Sequence, residues 1–135
     1  MTVKLSTDSI RIIALFEKVT NVHAKDCIIN DKEIYFVVGK DKVGRAIGKN
    51  GSKMKDLRRM LAGRHVKIFA YGDNLEDSVK SMIPNASKVE IKDDSVFVSV
   101  PGNEKVSVIG KNGRNINAIR EILKRQFDVK KLKLL

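Results

Sequence analysis

Ile47-Gly48-Lys49-Asn50-Gly51 recurs, residue for residue, as Ile109-Gly110-Lys111-Asn112-Gly113, 62 positions later. Five consecutive identities are not expected by chance in a chain of 135 residues. The likeness continues on both sides. Downstream, Met54, Leu57, Met60 and Leu61 fall opposite Ile116, Ile119, Ile122 and Leu123, and Arg58 falls opposite Arg120. Upstream, Ile34, Phe36 and Val38 fall opposite Val96, Val98 and Val100, and Cys27 and Ile29 opposite Val89 and Ile91. Two copies of a whole supersecondary unit indicate tandem domains rather than a solenoid, which needs at least three repeats.

Residue patterning supplies the elements of each unit. Ile10, Ile13, Ala14 and Phe16 recur at helical spacing over 6–19, with Ser6 or Thr7 as N-cap. Residues 25–29 and 33–38 are short apolar runs joined at Asn30-Asp31, which reads as a hairpin. Val43 to Ile47 is a short helix, the Gly48–Gly51 loop interrupts it, and Ser52 to Leu61 is a second helix burying Met54, Leu57 and Leu61. Gly63 ends that helix, and His65 to Tyr71 reads as a strand. The second unit repeats this order: a helix over 74–82, a hairpin over 88–92 and 95–100, a helix pair over 105–109 and 114–125, and a strand over 129–134. The predicted order is α-β-β-α-α-β twice, an α+β fold with domains at 1–73 and 74–135. Only Gly72-Asp73-Asn74 joins them, so rigid side-by-side packing is expected.

The repeated loops suit an anionic backbone. Two glycines allow dihedrals that other residues avoid and keep Cβ atoms away from an approaching phosphate. Each loop leads into a helix, whose first N–H groups and positive dipole end favour anions. Lys49 and Lys111 add charge between the glycines. Asn50 and Asn112 tolerate the left-handed conformation and donate hydrogen bonds.

Charge points the same way. The net charge is +11, and residues 39–68 alone hold ten Lys/Arg against two Asp/Glu. Residues 101–130 hold seven against three, so nearly all the excess lies in two windows around the loops. Such clustering indicates a nucleic acid before a membrane surface.

A Gly-x-x-Gly loop between two short helices, after a hairpin, resembles the KH family, in which that loop clamps about four nucleotides of backbone. A helix before the hairpin and a strand at the end resemble the type II arrangement. The close pairing, with Val43-Gly44-Arg45-Ala46-Ile47 ahead of the first loop, is similar to the KH pair of the NusA family of transcription factors in its short archaeal form. The larger bacterial form adds a polymerase-binding domain and an S1 domain, and neither is expected within these 135 residues. The resemblance implies single-stranded RNA as partner, a role in transcription elongation, termination or antitermination, and RNA polymerase or other transcription factors as further partners. It implies a groove formed by Val43, Arg45, Ala46 and Ile47 with the loop Gly48, Lys49, Asn50 and Gly51, and by Val106, Val108 and Ile109 with Gly110, Lys111, Asn112 and Gly113. Ile47 and Ile109 suit the core equally well. Lys53, Lys55, Arg58, Arg59, Arg114 and Arg120 either steer RNA or form a solvated helix face. Lys67 borders the first groove.

Other classes fit less well. Gly44 to Asn50 is a defective Walker A: it has three residues between its glycines instead of four, and Asn50 where Ser or Thr would hold magnesium. His23, Cys27 and His65 have no metal-ligand spacing, Cys27 reads as a small core residue, and no acid/base or nucleophile constellation stands out. No enzyme activity and no cofactor are expected. With no apolar run near the ~20 residues of a membrane span, the chain is expected to be cytoplasmic and, by preference, monomeric. Phe36, Phe69, Phe97 and Tyr71 read as core, which disfavours an exposed stacking sheet. A ribosome-associated or assembly KH protein is the alternative reading.

Overall fold

The computed structural model describes residues 7–30 and 32–135. The hydroxyl caps expected at Ser6 and Thr7, and Asp31 of the first hairpin turn, lie outside the described residues and side chains. The first repeat runs α1 (Thr7–Thr20), β1 (Asp26–Ile29), β2 (Glu33–Gly39), α2 (Val43–Ile47), α3 (Ser52–Met60) and β3 (His65–Tyr71). The second runs α4 (Leu75–Met82), β4 (Lys88–Lys92), β5 (Ser95–Ser99), α5 (Lys105–Ile109), α6 (Arg114–Phe127) and β6 (Lys131–Leu134). Two compact units meet in sequence between Tyr71 and Gly72.

Each unit is α+β, built on a three-stranded sheet. In the first, β1 pairs antiparallel with β2 and β2 parallel with β3. The parallel pair needs a crossover, which α2 and α3 supply. Cys27 lies opposite Phe36, and Phe36 opposite Ile68, so Ile34, Phe36 and Val38 share one face with these partners. Phe16 of α1 stacks on Phe36 with ring centroids 4.2 Å apart. Ile13, Val22, Ala24, Cys27, Ala46 and Leu57 close the same core, with Met54, Leu61, Val66 and Ile68 packed at its edge. The second sheet repeats the topology as β4-β5-β6, with Val96 opposite both Ile91 and Leu132. Ile116, Ile119, Ile122 and Leu123 of α6 are buried in that unit.

Two patterning expectations fail. Ile10 is 56% exposed and Ala14 is exposed; the inner face of α1 carries Ile13, Phe16 and Thr20. Phe16 on Phe36 sets the helix phase, and i, i+3, i+7 from Ile13 then reaches Thr20. Thr20 is fully buried without loss because its hydroxyl donates to the Phe16 carbonyl at 2.7 Å and accepts from the Val22 N–H at 3.1 Å. The second failure is in the aromatic residues: Phe36 and Phe69 are buried, but Phe97 and Tyr71 are only half-buried. Val96 and Val98 take the core-facing positions of β5, and the pleat turns Phe97 to the opposite face. By contrast β2 is buried on both faces, with Tyr35 stacked on Phe69 at 5.2 Å.

Candidate nucleic-acid interface

The two loops have the same backbone. Gly48 has φ 79° and ψ 170°, and Gly110 has φ 78° and ψ 172°. This region is essentially open to glycine alone. A Cβ on Gly48 would also lie 3.1 Å from the Lys53 amide nitrogen, and one on Gly110 would lie 2.7 Å from the Asn115 Cβ. Asn50 (φ 56°) and Asn112 (φ 57°) are left-handed, as are Gly51 and Gly113. The Gly51 N–H donates to the Gly48 carbonyl at 3.2 Å, and Gly113 repeats this to Gly110 at 3.1 Å. A Cβ on Gly51 would meet nothing within 4 Å. The first glycine of each pair is thus required by the fold, while Gly51 faces open space and a Cβ on Gly113 would make only an ordinary contact, 3.5 Å from Asn117 Nδ2.

The helices behind the loops start without the usual compensation. No side chain caps α3 or α6, and neither has an acidic residue in its first turn. Helix α4 shows what an ordinary start looks like in this chain. There the Asn74 side chain accepts from the Asp77 N–H at 2.8 Å, and Glu76 and Asp77 complement the dipole. The two helices that follow Gly-Lys-Asn-Gly lack this compensation and carry Lys49 and Lys111 beside their N-termini.

Beyond the second loop, α6 and β6 bound a cleft of about 620 Å³. Buried Val129 and Leu132 line it together with Asn117, Arg120, Lys124, Lys130, Lys131, Lys133 and one acid, Glu121. Asn117, at one end of the lining, lies near the second loop: a Cβ on Gly113 would be 3.5 Å from its Nδ2. The Arg120 guanidinium spans it, with Nε and Nη2 donating to the Leu132 carbonyl at 3.3 and 3.2 Å.

The KH domain model matches residues 10–70 and again 75–134. This chain belongs to the KH-domain family. Its relatives include proteins named probable transcription termination protein NusA. The one from Methanocaldococcus jannaschii is 30% identical over 139 residues, covering 98% of this chain and 75% of the relative. That from Halobacterium salinarum is 31% identical and covers 99% of both chains. A crystal structure of the protein APE1850 is 29% identical and superposes with a TM-score of 0.79 over 97% of this chain and all of that one. The tandem KH pair is thus of the short NusA-like form.

Within the KH framework the expected site residues separate into three groups. Lys49, Asn50, Lys111 and Asn112 are exposed at the loop tips, and Ile47 (37%), Ile109 (39%) and Val106 (79%) are exposed apolar residues just ahead of them. Arg114 is half-buried at the first position of α6, and exposed Arg45 lines a separate cavity of about 240 Å³ with Asn21, Asp41 and Tyr71. Ala46 and Val108 are buried, Ala46 in the core of the first unit, and half-buried Val43 packs on that core. Lys53 and Lys67 are held by the fold. Lys53 Nζ donates to the Thr20 and Arg45 carbonyls, both at 3.0 Å. Lys67 Nζ lies 2.8 Å from the Glu33 carboxylate, whose other oxygen accepts from the Tyr35 hydroxyl at 2.8 Å.

The cleft adds Asn117, Lys124, Lys131 and Lys133, which the sequence alone does not single out. The signal was present. Asn117, Arg120 and Lys124 follow one another at i, i+3 and i+7, and Lys131 and Lys133 alternate with Leu132 and Leu134. Among the described residues, no group of three or more His, Cys, Asp or Glu is placed to hold a metal, and no helix is long and apolar enough to cross a membrane.

Proposed function

We propose that this chain binds single-stranded RNA through its two Gly-Lys-Asn-Gly loops and acts on transcript elongation, termination or antitermination. The observation that carries this reading is the contrast between helices. Helix α4 starts with a side-chain cap and an acidic first turn, whereas α3 and α6 start bare directly behind a left-handed glycine. Phosphate oxygens suit those N–H groups, and the exposed aliphatic residues ahead of each loop suit the bases. The names of the NusA relatives support a transcriptional setting. The chemistry asked of the chain is binding and positioning of RNA, without catalysis, and RNA polymerase or another transcription factor is the further partner this reading implies.

A single-round transcription assay with an archaeal polymerase tests it. Adding the chain is expected to change the positions or yields of paused and terminated transcripts. An unchanged transcript pattern, with the chain recovered instead on ribosomal particles, would favour the ribosome-associated alternative.

A further inference from the structure

The face of the second sheet turned away from its core carries Lys88, Glu90 and Lys92 on β4, Ser95, Phe97 and Ser99 on β5, and Lys131 and Lys133 on β6. Val96 and Val98 between them are buried, which fixes this face as the outer one. All four lysines are exposed, while Phe97 is half-buried at the centre. Glu90 is the one acid, and Lys88 Nζ lies 2.6 Å from it. That hydrogen bond, and then the lysine charge, hold the Glu90 carboxyl below its ordinary range. The face therefore presents positive charge around one aromatic ring.

The corresponding face of the first sheet is different. Tyr35 holds the place of Phe97 in the repeat and is fully buried, as is Val37 in the place of Ser99. Lysines on β4 and β6 could simply guard the two edges of a sheet. Edge protection does not account for an aromatic ring kept partly open on the central strand. A single ring among serines and lysines also lacks the apolar centre of a protein interface. It does have the parts of a single-strand platform, an aromatic face for a base and cations for the flanking phosphates.

The face is continuous with the α6–β6 cleft. Lys131 and Lys133 line that cleft, and they are also the register partners of Ser95 and Phe97. We propose that single-stranded RNA leaving the cleft crosses β6 onto this outer face and stacks one base on Phe97. The inference rests on the RNA-binding reading above and extends it to a surface outside the KH groove.

The test pairs Phe97→Ser with Lys92→Ala in the full chain; neither residue lines the cleft. Fluorescence anisotropy is read with single-stranded RNA of about four nucleotides, enough for one groove, and with RNA about three times longer. Affinity for the short RNA is expected to stay unchanged, and affinity for the long RNA to fall about tenfold, within the range of one lost base stack. Parental affinity at both lengths overturns the proposal. So does loss of poly-glutamate binding with RNA affinity kept, which marks a surface for acidic proteins. If circular dichroism shows the variant unfolded, 4-thiouridine crosslinking of the unaltered chain decides. Crosslinks within 95–99 support the platform, and crosslinks confined to α5, α6 and β6 overturn it. If the unaltered chain binds neither RNA, the RNA-binding reading itself fails.

Discussion

The amine of Lys53 sits 3.0 Å from the carbonyl oxygen of Arg45, across the first loop. The second repeat makes the same tie with a different residue, Asn115 Nδ2 donating to the Val108 carbonyl at 2.8 Å. In both units a side chain from the second helix of the pair satisfies a carbonyl of the first, and so holds the loop between them. Lys53 acts here as a strut, although its type and position suggest a phosphate ligand.

Replacing Lys53 with Ala is therefore expected to act on stability before it acts on charge. Hydrogen bonds from charged donors contribute about 1.5–3 kcal/mol each, and the partial exposure of Lys53 argues for the lower end. Urea denaturation should show a loss of about 1–2 kcal/mol, while the slope of RNA affinity against salt changes little. A flattened salt slope at unchanged stability would make Lys53 a direct phosphate contact.

The glycines of one loop should differ in their tolerance. Gly51→Ala places a Cβ in open space at a left-handed residue, which costs about 1–2 kcal/mol. Gly48→Ala adds a contact with the Lys53 amide nitrogen in a conformation reserved for glycine, so it should cost more. Thermal unfolding of the two variants checks the order, and equal midpoints would contradict the loop geometry.

Lys67 is expected to be a stability residue. Its partner Glu33 has a side chain only 8% exposed, and removing the amine leaves a buried carboxylate with less compensation. Lys67→Ala should lower stability by about 1–3 kcal/mol, with RNA affinity at constant salt unchanged once the folded fraction is accounted for. Lys49→Ala should do the reverse, leaving the unfolding midpoint in place and reducing the salt slope by about 0.7, the share of one phosphate contact on a single strand.

The order of elements was legible because each copy checked the other. Apolar runs at 34–38 and 96–100, and glycines at 48, 51, 110 and 113, carry strand and loop signals that do not depend on tertiary context. The phase of α1 was not legible, because Ile10 and Ile13 are equally apolar and only the stacking of Phe16 on Phe36 chooses between them. The status of each cation was also hidden. Lys49 and Lys53 are both lysines next to a helix start, and a carbonyl brought in from Thr20, 33 residues away, separates their roles. That Lys131 and Lys133 share a cleft with Arg120 and Lys124 is not legible in sequence, because it depends on α6 lying alongside β6.

The central claim is that the two Gly-Lys-Asn-Gly loops receive the RNA backbone. Its most direct test changes Lys49-Asn50 and Lys111-Asn112 together to Asp-Asp. Asp tolerates the left-handed conformation of Asn50 and Asn112, and all four residues are exposed, so the fold should survive. The carboxylates would stand where phosphates are expected to approach. The measurement is the dissociation constant for single-stranded RNA of about eight nucleotides or more, spanning both modules, with circular dichroism as the check on folding. A folded variant with no measurable RNA binding is the result expected; a folded variant that binds as tightly as the parent chain would contradict the account.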